Sequence, residues 1–206
     1  MTETGGEFGD PRPDRALRRR LREESARPLP MGTEVRALLK PFAADWYTEC
    51  TQCGRAIGAP GETYYVERAL RGDEPLFEFA LCETCLNDFE DELSSESMLA
   101  IGRFWLRHCD LDDREERIED AADADDLVAT CLLSGEARTA LDEFQVWAWC
   151  RDGQLLADPF APAIVSGAMM ERLGECLSQK TRDAMDGFVR DNLGLPPEMK
   201  TVPVLV

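Results

Sequence analysis

The sequence contains almost no histidine and no long apolar run. His108 is the only histidine among 206 residues. One histidine cannot supply the acid–base pair on which most hydrolases depend, so the composition argues against that chemistry. A membrane-spanning helix needs about 18 consecutive apolar residues, and no such run is present. The N-terminus also lacks the apolar core of a signal peptide. We therefore expect a cytoplasmic protein without a membrane segment.

The usual nucleotide and hydrolase motifs are also missing. The chain has no glycine-rich phosphate loop, no Walker pattern and no Gly-x-Ser-x-Gly elbow. Residues 110–126 hold ten acids and two arginines, but no Asp-x-Asp-x-Asp-Gly calcium loop. They predict a linker or a solvated helix. With these absences, the sequence predicts that the protein is not an enzyme.

Charge is spread unevenly along the chain. The net charge is −18, yet residues 1–40 carry nine basic and seven acidic side chains. Residues 41–206 carry 14 basic and 34 acidic side chains, a net charge of −20. Such a body repels nucleic acid and anionic membranes. The arginines between residues 12 and 22 leave open a nucleic-acid contact or an acidic partner, and we favour an arm that docks on the acidic body.

Four cysteines carry the strongest signal in the sequence. They form two Cys-x-x-Cys pairs, Cys50/Cys53 and Cys82/Cys85, and Gly54 follows the first pair. In a reducing compartment such pairs indicate a metal or redox site rather than disulfides. Four thiolates at this spacing predict a closed tetrahedral site, and zinc is the expected cofactor. A rubredoxin-type iron site is disfavoured because Cys85 is followed by a predicted helix instead of a second knuckle.

The order of elements around these cysteines resembles the treble-clef zinc fingers. A knuckle at Cys50–Gly54 is followed by a predicted hairpin, with strands at 63–66 and 76–81 and a turn at 71–74. The second pair then opens a helix with Leu86, Phe89 and Leu93 on one face. The resemblance covers about residues 46–94 and implies a fold and a metal, with Cys50, Cys53, Cys82 and Cys85 as ligands. It implies no particular activity, because the members of this group differ in function.

The second half of the sequence repeats this order after a shift of 81 residues. Cys50 then aligns with Cys131, Cys53 with Ser134 and Gly54 with Gly135, while Cys82 and Cys85 align with Ala163 and Ser166. The alignment predicts a hairpin from Phe144–Trp149 and Gln154–Ala157 around Asp152-Gly153, then a helix from about 163 to 177. One ligand of four remains, so we expect no zinc there. Packing of apolar side chains should stabilise this unit instead, and the expected residues are Phe144, Val146, Trp147, Trp149, Leu155 and Phe160.

Four segments and four further helices follow from these patterns. We predict an α+β protein with an Arg-rich arm at 1–30, a zinc-binding treble-clef-like unit at 31–109, an acidic linker at 110–128 and a metal-free repeat unit at 129–206. The helices are expected at 15–25, at 33–40 with Thr33 as cap, at 96–108 behind Ser94 or Ser95, and from Ser178 to about Asn192. Gly194 and Pro196 should end the last of them.

The remaining reactive residues have simpler explanations. His108 is expected at a helix C-terminus, where positive charge is favourable. Cys109, Cys131, Cys150 and Cys176 are interpreted as small buried apolar residues, although a second metal site from His108, Cys109, Cys131 and Cys150 stays open. Trp147 or Trp149 is a candidate binding residue if exposed, and burial of at least one is expected. The predicted function is a non-catalytic zinc-stabilised protein-interaction or adaptor module. A nucleic-acid-contacting regulator and an enzyme with an unrecognised carboxylate site are the alternatives.

Overall fold

A computed structural model describes residues 26–194, so the helix predicted at 15–25 and most of the arm at 1–30 lie outside the described residues. The described part is an α+β fold with six strands and six α-helices. The strands are β1 (Arg27–Leu29), β2 (Thr63–Arg71), β3 (Glu74–Cys82), β4 (Glu143–Arg151), β5 (Gln154–Ala157) and β6 (Ala163–Ser166). The helices are α1 (Thr33–Leu39), α2 (Glu83–Glu92), α3 (Ser95–His108), α4 (Leu111–Asp120), α5 (Gly167–Glu175) and α6 (Gln179–Leu193), with short 3-10 turns at Asp126–Val128 and Arg138–Ala140.

All six strands form one antiparallel sheet. The strand order is β1-β5-β4-β2-β3, and β6 pairs with the part of β4 that β5 leaves free. Strands β2 and β4 lie side by side at the centre, with Glu67 opposite Trp147. The two halves of the chain therefore share one sheet.

Helices cover both faces of the sheet. On one face, Phe79 of β3 contacts Phe188 of α6, and Trp147 of β4 contacts Trp105 of α3. On the other face, Arg68 of β2 donates a hydrogen bond at 2.7 Å to the carbonyl of Leu38 in α1. Most of the buried apolar residues form a single continuous core, so burial of apolar surface stabilises both halves together.

The first half follows the predicted element order, with longer strands than the sequence indicates. The hairpin turns at Gly72 and Asp73, and α2 begins directly after Cys82. Ser94 caps α3 by accepting a hydrogen bond from the backbone N–H of Ser97. The prediction that Thr33 caps α1 is wrong, because the cap position is Gly32 and Thr33 is the first helical residue.

The second half has the predicted hairpin, but the prediction that a helix begins at Ala163 is wrong. Ala163–Ser166 is strand β6, and α5 begins only at Gly167. The pattern of Ile164 and Val165 is that of a buried strand against β4, and this pairing decides the local structure. The last helix begins after Ser178 and ends at Gly194, which has a positive φ of 60°.

The acidic segment after His108 is a helix packed on the body over part of its length. Its acids are mostly exposed on α4, but Ile118 and Arg114 of the same helix are buried. The Arg114 guanidinium donates to the carbonyl of Leu127 at 3.2 Å and to the carbonyl of Pro162. Of the two structures predicted for residues 110–126, the helix is present over Leu111–Asp120.

Candidate metal centre

A tight turn positions the first cysteine pair. The N–H of Cys50 donates to the carbonyl of Arg55 at 2.7 Å, and the N–H of Gly54 donates to the carbonyl of Cys50 at 2.8 Å. Gly54 has a φ of 68°, a conformation that glycine adopts without steric cost. This closed turn brings the side chains of Cys50 and Cys53 to the same side, as a metal knuckle requires.

The second pair lies where β3 passes into α2. Cys82 is the last residue of β3 and stands at the N-cap of α2, and Cys85 lies in the first turn of that helix. Two hydrogen bonds tie the knuckle to β3. The N–H of Thr51 donates to the carbonyl of Ala80 at 2.8 Å, and the N–H of Ala80 donates to the Thr51 Oγ1 at 3.0 Å. These bonds fix the two pairs relative to each other.

All four predicted ligands come together. Their Sγ atoms lie within 4.8 Å of one another, and Cys53 Sγ lies 4.0 Å from Cys82 Sγ. Four sulfurs at about 2.3 Å from a tetrahedral zinc would lie about 3.8 Å apart. Cys53 is exposed, whereas the other three cysteines are buried. The cluster could therefore hold a metal ion, with access from the side of Cys53.

The electrostatics of the cluster favour a bound cation. Burial of Cys50 opposes ionisation, but hydrogen bonds from the backbone N–H groups of Cys82, Cys53 and Gln52 outweigh it and lower its pKa to about 7. Burial raises the pKa of Cys82 and Cys85, and the neighbouring thiols raise that of Cys85 further. Four thiolates in one place repel one another, and a metal cation removes that repulsion.

The other candidates do not assemble into a site. Within the described range, no second group of three or more cysteine, histidine, aspartate or glutamate side chains has metal-binding spacing, so the possible site from His108, Cys109, Cys131 and Cys150 is not formed.

His108 ends α3 as predicted. Cys109, Cys131 and Cys150 are buried as interpreted, but Cys176 is exposed. Trp147 and Trp149 are both buried, at 4% and 7% exposure, so the expected burial of at least one of them is confirmed and neither offers a binding surface.

Sequence reasoning missed several residues that matter for the site and the core. Thr51 lies between the two cysteines of the first pair and joins the knuckle to β3. Glu67 and Arg114 are both buried, although charged side chains usually lie at the surface. The alternating pattern of β2 does place Glu67 on the same face as Tyr65 and Ala69, which is the one local signal of its burial.

None of the helices between residues 26 and 194 is both long and apolar enough to cross a bilayer. Comparisons of the chain with protein-family models, with curated proteins and with solved structures find no match.

Proposed function

We propose that Cys50, Cys53, Cys82 and Cys85 bind one zinc ion, and that this zinc is structural. Support comes from the sulfur separations and from the donor set, because four thiolates in tetrahedral arrangement suit zinc. A fourth protein ligand leaves no coordination position for water, so the metal offers no nucleophile for hydrolysis. The zinc instead holds the knuckle, the end of β3 and the start of α2 in one arrangement.

We also propose that the chain consists of two treble-clef-like units, with the first zinc-bound and the second metal-free. Equivalent turns support this proposal. The isolated bridge between Glu49 and Ala56 has a counterpart between Thr130 and Ala137. Gly54 and Gly135 both have positive φ, at 68° and 71°. In each half the turn precedes a hairpin and two helices, and in the second half strand β6 lies between the hairpin and the helices.

The biological role that fits these features best is that of a cytoplasmic protein-interaction module without catalytic activity. One observation carries it. Phe42 is 79% exposed beside a groove lined by Pro75, Leu76, Phe77 and Leu193. Exposed apolar surface with a polar rim is typical of contact sites between proteins.

Charge defines the kind of partner that this groove would accept. Glu74 is exposed at this groove, Glu78 also lines it but pairs with Arg68 at 3.0 Å, and the whole chain carries a net charge of −18. The partner segment should therefore combine apolar side chains for the groove with Lys or Arg side chains for its rim. Thiols kept reduced in the cytoplasm would preserve the zinc site and hence the position of β3.

Affinity capture with paired variants tests this role. Wild type, Phe42→Asp and Leu106→Asp are immobilised and exposed to native lysate, and each captured protein is purified and its affinity measured. Leu106 is a matched control because it is 69% exposed but lies on α3, outside the groove. A partner with basic and apolar character should bind wild type and Leu106→Asp alike and lose at least ten-fold in affinity for Phe42→Asp. Equal affinity for all three proteins would contradict the proposal.

Binding to nucleic acid is the outcome that would replace this role. Gel shifts with DNA and RNA at near-physiological salt should show no complex at micromolar protein, because the acidic body opposes a phosphate backbone. Tight complexes that weaken steeply with added salt would instead indicate that the protein binds nucleic acid through the Arg-rich arm at 1–30.

A further inference from the structure

We infer that Cys131, Ser134, Ser166 and Met169 form a second metal position that has lost three of its four ligands, and that it binds zinc again once they are restored. The inference rests on the proposed two-unit architecture. It differs from the sequence alignment, which placed Ala163 and Ser166 opposite Cys82 and Cys85.

The backbone around Cys131 reproduces the knuckle at Cys50. The N–H of Cys131 donates to the carbonyl of Glu136 at 2.8 Å, as that of Cys50 donates to Arg55 at 2.7 Å. The N–H of Gly135 donates to the carbonyl of Cys131 at 2.8 Å, and Gly54 makes the same bond to Cys50 at 2.8 Å. Residue 131 thus corresponds to residue 50, and residue 134 to residue 53.

Two hydrogen bonds fix the register on the opposite side of the turn. The N–H of Leu132 donates to the carbonyl of Ile164 at 2.8 Å, where Thr51 donates to Ala80 in the zinc unit. The N–H of Ser166 donates to Cys131 Sγ at 3.3 Å, and the N–H of Cys82 donates to Cys50 Sγ at 3.4 Å. Ser166 is therefore the counterpart of Cys82.

The following helix supplies the fourth position. Ser166 stands at the N-cap of α5, as Cys82 stands at the N-cap of α2. Counting three residues onward from each cap leads to Met169 in α5 and to Cys85 in α2. Compared with the first half, the second half has extra residues between β5 and β6, where the pairing of β4 changes from β5 to β6. These extra residues displace the sequence alignment.

Burial follows the same order in both sets. Cys50 is buried, Cys53 exposed, and Cys82 and Cys85 buried. Cys131 is likewise buried, Ser134 exposed, and Ser166 and Met169 buried. Side chains of similar exposure on equivalent backbone indicate that the four positions converge as the zinc ligands do.

In this second position, hydrogen bonds and a buried side chain connect the residues that a metal would otherwise hold together. Cys131 Sγ accepts from the N–H of Ser134 at 3.4 Å and from that of Ser166, and Ser166 Oγ accepts from the N–H of Met169 at 3.4 Å. The Met169 side chain is buried, and its Sδ accepts a hydrogen bond from the Arg172 guanidinium at 3.3 Å. The backbone of the site is thus already arranged, and three thiols would complete a tetrahedral donor set.

Restoring the ligands in the full chain tests the inference. The variant Ser134→Cys/Ser166→Cys/Met169→Cys is purified with zinc, dialysed against a chelator that leaves the wild-type metal in place, and analysed for metal content. We expect two zinc ions per chain instead of one. The matched control replaces Met170 instead of Met169. Since adjacent helix residues point about 100° apart, its third thiol is misdirected and one zinc should remain.

Each result decides the question. One zinc in the Met169 variant, or two in the Met170 control, overturns the assignment of these positions. If the first variant aggregates, Ser134→Cys/Ser166→Cys/Met169→His is prepared, because three cysteines and one histidine also form structural zinc sites. One zinc or none in this histidine variant then overturns the inference. A wild-type chain without zinc would contradict the proposed function, whereas one zinc in wild type and one zinc in the variant that folds contradict only this inference.

Discussion

At the scale of single residues, Cys82 has two roles. Its Sγ lies 4.0 Å from that of Cys53, and its N–H donates to Cys50 Sγ at 3.4 Å. It also ends β3 and stands at the N-cap of α2. The proposed metal ligand is therefore also the junction between a strand and a helix.

We expect Cys82→Ser to abolish zinc binding and to unfold the surroundings of the site. Structural zinc contributes on the order of 10 kcal/mol to folding in small zinc domains, and three remaining thiolates would retain little of it. Metal analysis and thermal melting of the purified variant measure both effects. Cys176→Ser is the control, because Cys176 is exposed and outside the cluster. A Cys82→Ser protein without zinc that melts like wild type would show that the site is not structural.

Glu67 is a second residue with an effect on the whole fold. It is 0% exposed in the centre of β2, and its Oε2 accepts a hydrogen bond from the Tyr65 hydroxyl at 2.9 Å. Its Oε1 has no hydrogen-bond partner among residues 26–194. Burial raises the pKa of Glu67 well above its ordinary value of 4.5, so the folded protein keeps this carboxyl protonated at pH values where the unfolded chain ionises it.

This difference makes stability depend on pH. Below the ordinary pKa of 4.5 both states are protonated and Glu67 has no differential effect. Above it, each pH unit favours the unfolded state by about 1.4 kcal/mol until the folded pKa is reached. We expect Glu67→Gln to lose less stability than wild type between pH 5 and pH 8, as measured by urea unfolding. Glu74→Gln, an exposed change on β3, should follow wild type. Parallel profiles for Glu67→Gln and wild type would refute this.

At the scale of elements, α1 depends on a residue far away in the sequence. Its cap position is Gly32, which has no side chain to accept a hydrogen bond. The Asp125 carboxylate accepts instead from the N–H of Glu34 at 3.2 Å and from that of Val35 at 2.9 Å. This contact also places a negative charge at the positive end of the helix.

Loss of this contact should weaken α1 more than the rest of the fold. We expect Asp125→Ala to lower the free energy of unfolding by about 1 kcal/mol, as the loss of an N-cap does. Hydrogen exchange at the amides of Thr33–Leu39 should accelerate, while that of β2 changes little. Asp120→Ala, an exposed change at the end of α4, is the control. Unchanged exchange in α1 would show that Asp125 does not cap it.

These elements show what sequence reasoning can and cannot reach. The cysteine spacing, the Asp152-Gly153 turn and the serines before α3 are local patterns. They predicted correctly that the four cysteines cluster, that a hairpin turns at Asp152-Gly153, and that Ser94 or Ser95 caps the helix. The Asp125 cap and the buried Arg114 depend on contacts across the fold, which no local pattern encodes. The helix predicted to begin at Ala163 begins only at Gly167, because Ala163–Ser166 pairs with β4 as strand β6, and this pairing is also a contact across the fold.

At the scale of the whole molecule, the pairing of β2 with β4 joins the two halves. Residues Thr63–Arg71 and Glu143–Arg151 pair along their full lengths. The helices that follow each hairpin also meet, since the N–H of Ser94 donates to Thr181 Oγ1 at 3.0 Å and that of Ser178 donates to Ser97 Oγ at 2.9 Å. Reciprocal contacts of this kind are typical of two-fold symmetry. The proposed zinc site in one half would therefore stabilise a sheet that both halves share.

The metal content of the purified wild-type chain tests the central claim most directly. Protein expressed in medium that contains both zinc and iron is analysed by mass spectrometry for metals and by absorption spectroscopy. The account predicts one zinc per chain, and none when Cys82 is replaced. A red, iron-containing protein, a chain without metal, or two zinc ions per wild-type chain would contradict it.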